Sequence, residues 1–188
     1  MGSFLFLSCS MQIVEHDLQA GNIDKVDDEE EYLHKYYNDK VAAIRKYDFN
    51  LSEEENRNRQ EKDDKNILYF DKRWLRNILG VNPDNLFFIY APDDSMNSGK
   101  NTTNDIKKND ILFLDISQKQ GNNNIFAYKN DFDNQPTIRQ IKWSLSENIK
   151  LIPVNPKYKE EIVEENANYL IVDIVGRIVV NISTLHTF

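Results

Sequence analysis

Short apolar runs separated by polar turn residues dominate the chain from Ile67 onward. Six of these runs have the length and the β-branched or aromatic content that is typical of strands. They are Leu86–Tyr90, Ile111–Asp115, Ile125–Tyr128, Ile138–Trp143, Ile149–Pro153 and Tyr169–Val180. The pattern therefore predicts a mostly β domain over residues 67–188, preceded by an N-terminal arm over residues 1–66.

One segment of the β half departs from the strand pattern. Residues Asp71–Gly80 begin with an aspartate, which can accept hydrogen bonds from the free amides of a helix start, and end with a glycine. These signals predict a short helix.

The arm has a different pattern of apolar and charged residues. The acidic run Asp27–Glu31 favours the positive end of a helix. The apolar residues that follow it have helical spacing, and they are Tyr32, Leu33, Tyr36, Tyr37, Val41 and Ile44. We predict an amphipathic helix with a docking face here. The segment Ser52–Lys65 contains almost no apolar residue, and we expect it to form a solvated helix or a flexible linker.

Size and charge limit the classes of function. The chain has 188 residues, of which 40% are hydrophobic, which suffices for one core with a peripheral arm. The formal net charge is −8, with 31 acidic and 23 basic residues. Because DNA affinity depends on cations that neutralise phosphates, we expect no direct DNA binding by this chain.

The cysteine and histidine content predicts neither a disulfide nor a metal site. Cys9 is the single cysteine, and the histidines His16, His34 and His186 are scattered. We therefore expect no metal, no cofactor and a reducing, cytoplasmic location. The N-terminal run Phe4–Cys9 is short for a secretory signal and has no basic leader, and no stretch approaches the roughly 20 apolar residues of a membrane span. No membrane association is expected.

Several motifs occur in a set order along the β half of the chain. They are Phe70–Leu75 with Leu79–Leu86, Asp94–Met96, Asp105–Asp115, Thr137–Ile141, Leu151–Tyr158 and Ile174–Val179. In this order they resemble the self-cleaving serine peptidase domain of LexA, UmuD and phage repressors over about residues 67–182. The resemblance implies a LexA-like peptidase fold of twisted antiparallel sheets, with an N-terminal arm and one or two added helices.

The resemblance also implies a catalytic pair. Ser95 matches the nucleophile of the family's Gly-Asp-Ser-Met, and Arg139 stands where active members have the lysine of Val-Lys-Arg-Leu. A buried lysine can lose its charge and take the serine proton, because burial lowers its pKa by about 3–5 units from roughly 10.4. Arginine is effectively never deprotonated, so it cannot act as that base. We therefore expect a peptidase fold with degenerate catalysis.

Three further departures from the family pattern surround the serine. Asp93 replaces the glycine before Asp-Ser-Met, an insertion lies around Asn97–Asn104, and Asn109 stands for another glycine. Glycine tolerates backbone angles that aspartate resists, so we expect Asp93 to distort the turn that presents Ser95.

An alternative base is Lys142, three residues after Arg139. Aligning Lys142 with the family lysine shifts the strand register by an odd number, which places its side chain on the opposite face. Active relatives cut their own arm at Ala-Gly or Cys-Gly, and this chain offers Ala20 and Gly21, a dipeptide that also suits an ordinary turn. The alternative is therefore an active self-cleaving peptidase that uses Ser95 with Lys142 and cuts between Ala20 and Gly21.

The layout of an arm followed by a core is closer to UmuD than to a repressor with its DNA-binding helices, although the C-terminal half of a repressor would have the same layout. The resemblance implies a homodimer, with the terminal run Tyr169–Ile182 as a candidate pairing surface, a protein partner, and a role in transcriptional or stress-response control such as the SOS response. Two other hypotheses remain. An unrelated β-rich binding protein would make the motif order a coincidence, and a signal peptidase would need a membrane anchor.

Overall fold

The computed structural model describes residues 39–60, 64–100, 105–130, 136–143, 148–164 and 172–182. The chain divides into two compact units, residues 1–40 and 41–188, and nearly all described residues belong to the second. Residues 41–66, which we predicted as part of the arm, thus belong to the β unit. The acidic run Asp27–Glu31 and the dipeptide Ala20–Gly21 lie outside the described residues.

A single sheet organises the described part of the second unit. Its nine strands lie in the order β2-β1-β3-β4-β9-β5-β6-β7-β8. The strands are β1 (Val41–Lys46), β2 (Ile67–Asp71), β3 (Leu86–Tyr90), β4 (Ile111–Asp115), β5 (Asn124–Asn130), β6 (Pro136–Trp143), β7 (Asn148–Ile152), β8 (Glu161–Glu164) and β9 (Val172–Asn181). The β1 and β3 strands pair in parallel, and the other neighbours pair antiparallel. The prediction of a mostly β fold is confirmed.

Two short α-helices lie wholly within the described residues. Helix α1 (Glu53–Asn58) starts at Ser52, which forms a capping box with Glu55. Helix α2 (Lys72–Asn77) starts at Asp71, whose side chain accepts the first free amides as the sequence predicts. Short 3₁₀ turns lie at Asp64–Asn66 and Pro83–Asn85.

The predicted amphipathic helix is wrong at its C-terminal end. Val41 and Ile44 lie in strand β1, where Ala42 and Ile44 are buried and Ala43 between them is exposed. A period of two therefore describes these positions better than a helical period. Pairing of β1 with both β2 and β3 decides the local structure, and a single sequence does not reveal those partners.

Strand β9 connects the two halves of the sheet by changing partners along its length. Residues 172–177 pair with β5, and residues 177–181 pair with β4. At the change, a Cβ on Gly176 would lie 2.5 Å from the backbone oxygen of Asp115, closer than atoms can approach. A glycine is therefore required for the two strands to cross at this distance.

The largest buried cluster lies beside the position of Ser95. It includes Met96, the neighbour of Ser95, and Ile138, the neighbour of Arg139, together with Ala91 and Ile106. Packing of these apolar neighbours fixes the backbone on both sides of the candidate site.

Candidate active site

Ser95 lies in the connection between β3 and β4 and is fully buried. Its carbonyl oxygen accepts hydrogen bonds from the backbone amides of Val154 at 3.0 Å and Asn155 at 2.8 Å. The carbonyl of Met96 accepts another from the amide of Ile106 at 3.1 Å. Backbone hydrogen bonds to two other segments of the chain thus hold the serine in place.

The structure brings Ser95 and Arg139 together. The Nη1 atom of Arg139, on β6, donates a hydrogen bond to Ser95 Oγ at 2.5 Å and another to the carbonyl oxygen of Ile138 at 2.8 Å. Ser95 Oγ donates to the same carbonyl at 3.2 Å. Arg139 is only 6% exposed, so these contacts form away from bulk water.

The aspartate at position 93 contacts both residues of this pair. Its Oδ1 accepts the backbone N–H of Ser95 at 2.8 Å, and its Oδ2 lies 3.7 Å from Nη1 of Arg139. Asp93 does not have a positive φ, so the expectation that it distorts a glycine-dependent turn is wrong. The Asp93 side chain stabilises the turn instead, because an aspartate commonly accepts a hydrogen bond from the backbone N–H of the residue two positions further along the chain.

Asn109, the second replaced glycine, does adopt the left-handed conformation, with φ of 69°. Asparagine is one of the few residues that tolerate this region. The backbone N–H of Asn109 donates to the carbonyl oxygen of Ala91 at 2.9 Å, and this hydrogen bond connects the loop before β4 to the end of β3. This substitution therefore preserves the connection around the serine.

Two residues of the site were not predicted from the sequence, Asn155 and Tyr158. The Cζ atom of Arg139 lies 5.5 Å from the centroid of the Tyr158 ring, a cation–π distance. Asn155 Nδ2 donates to the carbonyl of Asp94 at 2.9 Å, beside Ser95. Both residues belong to the motif Leu151–Tyr158, and the place of that motif in the family order was the signal that could have assigned them to the site.

Lys142 lies elsewhere on strand β6. It is exposed and pairs in register with Lys150 of β7, whereas Arg139 and Ile141 are buried. Since Lys142 is an odd number of positions from Arg139, the two side chains leave the strand on opposite faces. The other proposed participants, Ala20 and Gly21, fall outside the described residues.

The chemistry of the described site is that of a charged donor beside a hydroxyl. The guanidinium of Arg139 donates hydrogen bonds and has no lone pair with which to take the proton of Ser95. Its Nε atom is buried and has no hydrogen-bond partner among the described residues. The structure thus brings a serine, an arginine and a carboxylate together, and the contacts described for Ser95 Oγ include no side chain that can accept its proton.

No group of three or more histidine, cysteine or acidic side chains in the described residues is placed to bind a metal ion. Among those residues, no helix has the length and apolar character needed to cross a membrane.

A family model described as Peptidase S24-like matches residues 25–179. The match covers well over half of the chain, and the chain therefore belongs to this family, which confirms the resemblance to the LexA and UmuD type of peptidase domain. No match was found among curated protein sequences.

Proposed function

We propose that the chain is a regulatory domain with the S24 peptidase fold in which Ser95 no longer acts as a peptidase nucleophile. The observation that carries the proposal is the hydrogen bond from Arg139 Nη1 to Ser95 Oγ at 2.5 Å. A serine hydroxyl needs a neighbour that accepts its proton, and a guanidinium only donates.

The hydrogen bonding of Ser95 supports the same conclusion. Its Oγ accepts from Arg139 and donates to the carbonyl of Ile138, so both hydrogen-bonding roles of the hydroxyl are in use. The residue is also fully buried. A nucleophilic serine must donate its proton to a base, and here the proton of Oγ is directed at a backbone carbonyl, which does not take it up.

The backbone N–H of Ser95 is a third element. Serine peptidases commonly use the amide of the nucleophile to stabilise the oxyanion of the tetrahedral intermediate. Here that amide donates to Asp93 Oδ1 at 2.8 Å. A carboxylate beside the site also repels a developing negative charge, which disfavours acyl transfer even if a base were supplied.

Family membership, taken with the loss of catalysis that we propose, supports a regulatory role. We infer that the domain acts in the cytoplasm as a homodimer with a protein partner, in transcriptional or stress-response control, and does not contact DNA itself. Within the described residues, β9 pairs with β5 through residues 172–177 and with β4 through residues 177–181. Each half of strand β9 thus uses one of its two hydrogen-bonding edges for these pairings. This supports the terminal run as the dimer surface.

The competing function is self-cleavage between Ala20 and Gly21 by Ser95 with Lys142 as the base. Exposure of Lys142 and its place on the other face of β6 speak against that pair.

A fluorophosphonate probe, which labels activated serines covalently, separates the two functions. We expect no labelling of the full chain at neutral or mildly alkaline pH, above the level of a Ser95→Ala variant. Labelling that depends on Ser95 would overturn the proposal, and loss of that labelling in Lys142→Ala would identify the base.

A further inference from the structure

We propose that a second cavity of the protein binds a free amino acid with an aliphatic side chain. The cavity has a volume of about 220 Å³ and lies between the β1–α1 connection, the loop after β4, and strands β5 and β9. Neither Ser95 nor Arg139 lines this cavity, so the inference goes beyond the proposed function. Cavities for drug-sized ligands typically measure about 300–1,000 Å³, and this smaller one therefore suits a small metabolite.

Part of the cavity wall is apolar. Tyr47 and Val175 are buried there, and the partly buried Phe49 and Leu51 lie beside them. The rings of Tyr47 and Phe49 pack edge to face, with 5.2 Å between their centroids, which fixes the positions of both rings. Val175 is the extra residue of a β-bulge in the pairing of β9 with β5. Bulges often occur next to functional sites, where they redirect a side chain.

Lys129 and Asp173 contribute one positive and one negative group to the same cavity. The two residues lie directly opposite each other on β5 and β9. Opposite charges at such positions commonly form a pair across the strands. In the described part of the chain, however, the two side chains form no ion pair or hydrogen bond with each other or with another residue. Both charged groups are therefore available to a ligand.

The other two charges of the cavity, those of Glu53 and Lys119, already neutralise each other. Glu53 Oε2 lies 2.9 Å from Lys119 Nζ, and Glu53 Oε1 lies 3.0 Å from Nη2 of Arg57. A ligand would have to break these ion pairs in order to use either group. The charges that remain for a ligand to match are those of Lys129 and Asp173.

An α-amino acid matches this arrangement as a zwitterion. Residues that lie opposite each other on neighbouring strands have Cβ atoms about 4.5–5.5 Å apart. A ligand whose ammonium and carboxylate groups share one carbon atom can therefore contact Asp173 with the first group and Lys129 with the second. Its aliphatic side chain would pack against the apolar wall, which excludes water from part of the ligand.

The hydroxyl of Tyr47 adds a third polar contact. Burial, and after it the carboxylates of Glu53 and Asp173, raises the pKa of Tyr47 to about 12, so this group keeps its proton at neutral pH. A neutral phenol can accept a hydrogen bond from an ammonium group or donate one to a carboxylate. It therefore suits either end of the zwitterion.

The probes are L-leucine and two analogues that each lack one of its charges. The amine 3-methylbutylamine is leucine without the carboxylate, and 4-methylpentanoate is leucine without the ammonium group. Chemical-shift titration of the nitrogen-15 labelled full chain at neutral pH measures the three affinities, including weak ones. We expect leucine to bind at least about tenfold more tightly than either analogue, because charge-assisted hydrogen bonds are stronger than neutral ones.

Two variants assign the charges of the ligand to their partners. Lys129→Met should weaken the binding of leucine by about tenfold and leave that of 3-methylbutylamine unchanged, because this analogue has no carboxylate. Asp173→Asn should weaken leucine and 3-methylbutylamine and leave 4-methylpentanoate unchanged. Lys142→Met is the matched control, since Lys142 is an exposed strand lysine that does not line the cavity, and it should not change the affinity for leucine.

The inference is overturned if leucine does not bind, if it binds no better than its analogues, or if Lys129→Met and Lys142→Met have equal effects. The three probes are compared on the wild-type chain, so that result stands even if a variant folds poorly. Fluorophosphonate labelling of Ser95 tests the proposed function through a different observable, so the failure of one proposal is distinguishable from the failure of the other.

Discussion

Asp93 holds the backbone of Ser95 by accepting its N–H through Oδ1 at 2.8 Å, while the second oxygen of the same carboxylate lies 3.7 Å from Arg139 Nη1. The acid at the glycine position and the arginine at the lysine position of the family are therefore in contact. The negative charge of the Asp93 carboxylate partly neutralises the positive charge of the buried Arg139 guanidinium. The two departures from the family pattern act as one structural unit.

Reversing both departures should restore reactivity to Ser95 more than reversing either one. In Asp93→Gly/Arg139→Lys, the amide of Ser95 is released and a potential base is supplied. We expect fluorophosphonate labelling at least about tenfold faster than in either single variant, a small part of the roughly 10²–10⁴-fold that a general base contributes. Labelling rates at alkaline pH measure this.

The control for that experiment is Ser95→Ala in the double-variant background, which should show no labelling. Labelling of Arg139→Lys alone at the rate of the double variant would contradict the role assigned to Asp93.

Removal of Lys142 should have little effect on the protein. Its side chain is exposed, so Lys142→Ala should change the free energy of unfolding by no more than about 0.5 kcal/mol and should leave the reactivity of Ser95 as it was. Denaturant unfolding and probe labelling check the two parts. A specific loss of Ser95-dependent reactivity would show that Lys142 reaches the site.

The segment between β1 and α1 depends on the buried side chain of Asn56. Its Oδ1 accepts the amide of Asp48 at 2.8 Å, and its Nδ2 donates to the carbonyls of Asp48 at 2.9 Å and Ser52 at 3.0 Å. Asn56→Ala leaves the partly buried amide of Asp48 without its partner and removes one of the hydrogen bonds to each carbonyl, and we expect a loss of about 1–3 kcal/mol in the free energy of unfolding.

The exposed Asn58, in the same helix, is the matched control for Asn56. Asn58→Ala should change stability by less than about 0.5 kcal/mol. Equal effects of the two substitutions in urea unfolding would contradict the role of the buried amide.

Alkaline pH should destabilise the fold through Tyr47. Burial raises the pKa of Tyr47 to about 12, and the carboxylates of Glu53 and Asp173 add to the shift. The unfolded chain loses this proton near pH 10, so stability is complete below that pH and falls as pH rises toward 12. A shift of two units corresponds to about 2–3 kcal/mol.

The variant Tyr47→Phe cannot ionise, so its unfolding free energy should fall less between about pH 10 and 12 than that of the wild type. Comparing the two slopes removes the contribution of the other tyrosines and lysines. Parallel slopes would contradict the assignment to Tyr47.

The sequence predicted the centre of the fold better than its edges. Runs such as Leu86–Tyr90 and Ile111–Asp115 are strands with the predicted bounds, because continuous apolar content makes a buried strand recognisable. Strands β1, β2 and β8 were missed. They lie toward the two edges of the sheet, where partly exposed residues give a weak signal and pairing with distant segments decides the structure.

The candidate site was predicted in part. The family order of motifs led to Ser95 and Arg139, and the structure places them in contact. The role of Asp93 could not be predicted from the sequence. Its side chain stabilises the turn by accepting the amide of Ser95, and such a hydrogen bond produces no periodic pattern of residues along the chain. Asn155 and Tyr158 join the site through a turn more than 50 residues from Ser95, a contact that only the tertiary structure reveals.

The most direct test of the central claim is the intact mass of the full chain over time, measured at neutral and strongly alkaline pH beside Ser95→Ala. Alkaline conditions favour a neutral lysine base and so give self-cleavage its best opportunity. We predict an unchanged mass for both proteins at every pH at which they stay folded. Loss of residues 1–20 from the wild type alone would show that Ser95 is an active nucleophile and would contradict the account.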